Sequence, residues 1–149
     1  MIYRISISRN LGDWIHIDVN PRLNLAKLGD IIHSCFGEPD GRHHAFFMDD
    51  QAYSQADCYY EVGSLQNRDI YDHLQLPTDR QVNLDPDIPI ELVPIRLTRD
   101  YFVGQLDLFE GKKFKYVYNF SSNDVYQCRV LKILAKPCED VYWEIARES

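Results

Sequence analysis

Apolar and polar residues alternate from Tyr3 to Ser8, which puts Tyr3, Ile5 and Ile7 on one face of an extended segment. They alternate again from Trp14 to Val19, with Ile15, Ile17 and Val19 as the apolar set, and Asn-Leu-Gly-Asp between the two runs predicts a hairpin. The period then changes. Leu25, Leu28, Ile32 and Phe36 recur at helical spacing behind Asn24, an N-cap residue type, and Gly37 follows as a C-terminal stop. After a Pro39-Asp40-Gly41 turn, HHAFFMDDQAYSQ reads as a strand, a tight turn at Asp49 and Asp50, and a second short strand.

Periodicity fades between residues 61 and 95. SLQNRDIYDHL offers a short helix held by Ile70 and Leu74, and IPIELV lies among Pro77, Pro86, Pro89 and Pro94, a setting for a covering loop with one edge strand. Alternation returns in KKFKYVYNF, which places Phe114, Tyr116, Tyr118 and Phe120 on one face and lysines on the other. YQCRVLKILA pairs with it, and VYWEIA supplies Val141, Trp143 and Ile145 as a last inward row. Hairpin, helix, strands, insertion, hairpin and strand together predict an α+β domain: a mainly antiparallel or mixed sheet with one principal helix packed across it. A β-grasp-like arrangement fits that order.

The 149 residues suit a single domain, 1–149, with 61–95 as an acidic insertion or covering loop. Residues 61–95 hold 2 basic and 7 acidic residues, whereas 96–149 hold 9 and 8. A net charge of −7 opposes broad binding along a phosphate backbone. No apolar run reaches membrane-spanning length and MIYRISISRN lacks the build of a signal peptide, so the expected location is cytoplasmic. Cys35, Cys58, Cys128 and Cys138 have no paired C-x-x-C spacing and are expected as reduced, mostly buried thiols.

Glycine-rich phosphate loops, serine-hydrolase elbows and H-E-x-x-H are absent from the sequence. Neighbouring His43 and His44 would point to opposite faces of a strand, so no metal site is expected, and no cofactor. Trp14, His16 and Asp18 share one strand face, expected as an outer surface of solvated polar groups. Lys112, Lys113, Lys115, Arg129 and Lys132 are the one basic concentration, but Tyr116 and Tyr118 face away from Lys113 and Lys115, which disfavours a stacking platform for nucleic acid.

Four features resemble the plasmid pRiA4b Orf-three-like proteins, small domains of bacteria, archaea and mobile elements. They are the opening hairpin with Trp14, the LNLAKLGDIIHSCFG helix, H-x-F at His44, Ala45 and Phe46 followed by Tyr53, and EGKKFKYVYNF before a polar turn. That family typically carries H-L-H-x-F at the first motif and Y-D-F-G-D followed by Trp and His at the second. Here Arg42 stands for the first histidine, Asn119 for the aspartate, Ser121 and Ser122 for Gly-Asp, and Asp124 and Tyr126 for Trp and His. The resemblance implies an α+β fold and a second motif that has lost groups suited to metal ligation or proton transfer.

The first functional expectation is therefore a non-enzymatic interaction module that binds a protein or peptide through an exposed sheet edge or the insertion. The alternative is a small-ligand binder or degenerate enzyme with a pocket formed by His44, Phe46, Tyr53, Tyr118, Asn119, Phe120 and Asp124. A nucleic-acid role linked to a mobile element ranks third.

Overall fold

The computed structural model describes residues 1–9, 12–39, 43–54, 56–61, 96–120, 122–137 and 140–148. Both readings within the 61–95 insertion, the short helix and the edge strand at IPIELV, lie outside the described residues. The strands are β1 (Ile2–Arg9), β2 (Asp13–Val19), β3 (His44–Phe47), β4 (Cys58–Tyr60), β5 (Arg96–Leu97), β6 (Lys113–Tyr118), β7 (Asp124–Leu134) and β8 (Trp143–Glu148). They form one sheet in the order β5-β4-β3-β6-β7-β1-β2-β8, antiparallel throughout except for the parallel pair β4 and β5. The principal helix is α1 (Leu25–Cys35), and the fold is α+β.

Burial follows the alternation of the opening hairpin. Ile5 pairs with Ile17, Ile7 with Ile15 and Tyr3 with Val19, and all six are buried on one face. Leu25, Leu28, Ile31 and Ile32 of α1 join them in the main core, along with Phe46, Phe114, Tyr116, Tyr118, Tyr126, Cys128 and Val130. Side-chain Oδ1 of Asn24 accepts from Ala26 N at 2.9 Å, satisfying one of the first-turn donors. At the other end Gly37 adopts φ +73°, Gly37 N donates to Ser34 O and Glu38 N to His33 O, the paired bonds of a Schellman stop.

Three expectations need correction. Val141, Trp143 and Ile145 do not form an inward row: they are 62%, 41% and 41% exposed. Trp143 and Ile145 pair with Val19 and Ile17 and so share the core-side face, but β8 is the sheet edge. Phe120 does not continue the row of Phe114, Tyr116 and Tyr118. Asn119 turns into the left-handed region at φ +58°, which ends the two-residue period and sends Phe120 to the opposite side of the sheet, among Ala45, Phe47, Cys58, Tyr60 and Val117. The strand after the Asp-Asp turn begins only at Cys58: Asp50 and Tyr53 have positive φ, Ser54 N bonds Gln51 O, and Met48 N reaches Asp57 O across the loop.

Candidate functional site

The sheet divides the residues expected to line a pocket. His44, Phe46 and Tyr118 lie on the helix side, in or against the main core. Tyr53 and Phe120 lie on the outer side, their rings 6.2 Å apart and both near the second cluster. Asn119 and Asp124 stand at the rim, Asn119 just after β6 and Asp124 at the first position of β7, paired with Tyr118. A single pocket joining His44 to Tyr53 and Phe120 is therefore excluded by a layer of backbone, because neighbouring positions on a strand face opposite ways.

What surrounds His44 instead is a buried histidine–tyrosine cluster between α1 and the sheet. His33, 2% exposed, stacks on Tyr118 with ring centroids 4.2 Å apart and planes 19° from parallel. His44, 4% exposed, lies 6.0 Å from His33 and 5.5 Å from Tyr116. Tyr116 Oη donates to the carbonyl of Gly29 at 3.1 Å, which commits its one proton. His33 Nδ1 lies 3.0 Å from the Tyr116 hydroxyl oxygen, and with that hydroxyl's proton given to Gly29 this second bond calls for a proton on Nδ1. Burial holds the Tyr116 hydroxyl well above its ordinary pKa, so it acts as a neutral phenol. A helical glycine at position 29 permits this closeness, since a Cβ there would lie 3.1 Å from His44 Nε2 and 3.3 Å from Tyr116 Cε2.

Next to this cluster, the chain leaving α1 is gripped by side chains. Arg9 Nη1 and Tyr126 Oη both donate to Glu38 Oε1, at 2.8 and 2.9 Å, and the Arg9 guanidinium lies 5.3 Å from the centre of the Phe36 ring. Tyr118 Oη donates to the Pro39 carbonyl. These groups read as a clamp on the helix exit, although Arg9 Nε is buried with no hydrogen-bond partner among the described residues.

The polar turn after β6 is accounted for by its own backbone. Asn119 and Asn123 both occupy the left-handed region, at φ +58° and +55°, which asparagine tolerates better than most residues. Ser122 N and Asn123 N bond Asn119 O at 3.0 and 2.8 Å, and Ser122 Oγ lies 3.0 Å from Asp124 Oδ2. Asn123 Oδ1 accepts from Tyr53 Oη at 2.5 Å, tying the turn to the β3–β4 loop. Asp124 thus binds its own turn, although the register His44–Tyr118–Asp124 sets it on the same face as His44 with Tyr118 between them.

No group of three or more metal-ligating side chains converges among the described residues. Burial raises the Cys58 thiol to about 11 and the Cys128 thiol further, so both are protonated at neutral pH. Tyr60 is 1% exposed and its hydroxyl makes no hydrogen bond among the described residues; burial raises its pKa as well.

Sequence reasoning missed His33, Gly29 and the nature of the Trp14 face. His33 follows Gly29 by four residues, and both fall on the stripe marked by Leu25, Leu28 and Ile32, so helical spacing alone could have placed them inward. Asp18 is not a solvated group: it is 3% exposed and takes a two-pronged bond from Arg4, at 2.8 and 2.9 Å. Tyr116 and Tyr118 do face away from Lys113 and Lys115, as the alternation predicts.

Comparison with known proteins yields a fold. No family model matches the chain, and no curated protein matches it. A crystal structure of a protein of unknown function from Methanosarcina mazei Go1 superposes with a TM-score of 0.64 at 16% identity, covering 99% of this chain and 68% of that one. At that identity the likeness speaks for architecture alone. No helix among the described residues is long and apolar enough to cross a membrane.

Proposed function

We propose that the chain is an interaction module that receives an extended segment of a partner protein along the outer edge of β8. The supporting observation is the combination at that edge: among the described strands β8 pairs with β2 on one side and ends the sheet on the other, while Trp143 and Ile145 stay 41% exposed on the core-side face. An added strand would satisfy the outward backbone groups of β8 and extend the apolar face over those two side chains, which is how strand addition combines affinity with selectivity. The chemistry expected of the partner is an extended segment with apolar residues at alternate positions.

The rival pocket around His44 and Asn119 has less support, because its members fall on two sides of the sheet. Membership of the plasmid pRiA4b Orf-three-like family remains a proposal, supported by His44, Ala45 and Phe46 on β3 and by the helix and β6 that pack against them.

The test compares partners captured by the intact chain with those captured by a Trp143→Arg, Ile145→Lys variant, then follows amide exchange across residues 143–148 on binding. Loss of a specific partner in the variant, with slowed exchange along β8 in the native complex, supports strand addition. A partner set unchanged by the variant, or no specific partner at all, refutes it.

A further inference from the structure

The outer face of the sheet has two characters. On β3, β4 and the end of β6 it is sealed by the second apolar cluster. On β6, β7, β1 and β2 it is polar, and the strand register arranges the side chains in rows. Lys113 pairs with Arg129, Arg129 with Ser6 and Ser6 with His16; the adjacent row runs Lys115, Gln127, Ser8, Trp14. With strands ~4.8 Å apart, each row spans roughly 14 Å.

Charge within these rows is unevenly compensated. Lys115 is neutralised by Asp50 and Arg4 by Asp18. Lys113, Arg129 and Lys132 are exposed and enter no ion pair among the described residues, although the chain as a whole carries −7. Ser6 and Ser8 keep the centre of the face shallow. Beyond them stand Trp14 and His16, their ring centroids 4.7 Å apart and tilted by 41°. Tyr116 and Tyr118 are buried and cannot serve the cations, but Trp14 and His16 share their face.

We propose that this face binds single-stranded nucleic acid, with phosphates on Lys113, Arg129 and Lys132 and a base against the Trp14 and His16 rings. Three cations without an ion pair among the described residues, beside a half-buried ring pair on the same antiparallel face, supply the two elements such binding uses: a charged track for the backbone and a surface for an unstacked base. A duplex would engage the cations and leave the rings idle, since its bases are already stacked. An acidic peptide would likewise have no use for the rings. The net negative charge does not oppose this, because the electrostatic term depends on the cations that meet phosphates. The site is separate from the β8 edge.

The experiment uses the full chain carrying Trp143→Phe, which leaves Trp14 as the remaining tryptophan of two and removes the apolar anchor of the β8 edge. Oligo-dT and oligo-U of about twelve nucleotides are titrated in at roughly 50 mM salt and above, with an oligo-glutamate of similar charge as the control. Expected are quenching of Trp14 fluorescence and a slope of log affinity against log salt of about −2, from about 0.7 per cation for a single strand. Binding should weaken at least ~10-fold in Lys113→Glu, Arg129→Glu, Lys132→Glu with an unchanged circular dichroism spectrum. Absence of binding, binding without quenching, equal affinity for oligo-glutamate, or indifference to the triple substitution would each overturn the proposal.

Discussion

A Cβ placed on Gly29 of α1 would lie 3.1 Å from Nε2 of His44 on β3, closer than ordinary van der Waals contact. Two effects of Gly29→Ala therefore oppose one another. Alanine raises helix propensity by about 1 kcal/mol, and the added methyl presses on an imidazole and a tyrosine ring that are both fully enclosed. Because neither ring has space to retreat, the expected net effect is destabilisation by about 1–2 kcal/mol. Repeating the substitution in a His44→Ala background should reverse its sign, since the closer ring is gone and its space lets the Tyr116 ring yield, while the propensity gain remains. Denaturant unfolding of the four proteins measures the cycle.

Tyr116 and Tyr60 make a matched pair of opposite sense. Tyr116→Phe removes a buried hydroxyl that serves both Gly29 O and His33 Nδ1, and should cost about 1–3 kcal/mol. Tyr60→Phe removes a buried hydroxyl that makes no bond among the described residues, so stability should hold or rise by about 1 kcal/mol. A loss at Tyr60 as large as that at Tyr116 would show that its oxygen has a partner in solution.

Alkaline pH should unfold the protein through these same phenols. Burial raises the folded-state pKa of Tyr60 and Tyr116 above the ordinary phenol value of 10.0, so the folded state holds their protons where the unfolded chain has released them. Stability is then undiminished below pH 10 and falls as pH climbs from 10 toward the folded values, by at most ~1.4 kcal/mol per pH unit for each phenol. Tyr53, raised to about 12 by burial, adds a smaller share because it is only half-buried. Urea melts between pH 8 and pH 11.5, followed alongside tyrosinate absorbance, give the check. A titration in which these tyrosines ionise at ordinary pH without unfolding would contradict the buried cluster.

Asn119 tests whether the polar turn is a turn. At φ +58°, Asn119→Gly should be tolerated within ~0.5 kcal/mol, whereas Asn119→Ala, which must hold a Cβ in the left-handed region, should cost about 1 kcal/mol. A binding role for the amide would instead make glycine and alanine equally damaging to whatever is bound, with stability unaffected.

The Arg4–Asp18 pair provides a further check on the outer face. Asp18→Asn keeps the shape but removes the charge that holds Arg4, and should cost about 2 kcal/mol as a charge-assisted bond in a covered site. It would also release a fourth cation beside Lys132, so binding of oligo-dT should tighten.

The parts of the fold legible in the residue pattern were those governed by near neighbours. The opening hairpin, α1 with Asn24 and Gly37 at its ends, and the pairing of β6 with β7 each announce themselves through a period of two or of 3.6 and through capping chemistry. The errors have two causes. Trp143 and Ile145 obey the alternation of a buried row, yet alternation reports which face a side chain takes and says nothing of whether another layer covers that face. Phe120 obeys it in spacing, but the positive φ of Asn119 resets the count by a turn.

Alternation and capping, local properties of the chain, determined on their own that this protein would build strands and one amphipathic helix of an α+β domain, and which side of each would be apolar. Only the assembled sheet decided that His33 meets Tyr118, that Tyr53 and His44 are kept apart by a backbone layer, and that Trp14 shares a face with Arg129. Strand order and register bring together residues more than a hundred positions apart, and no short-range preference encodes which strands become neighbours.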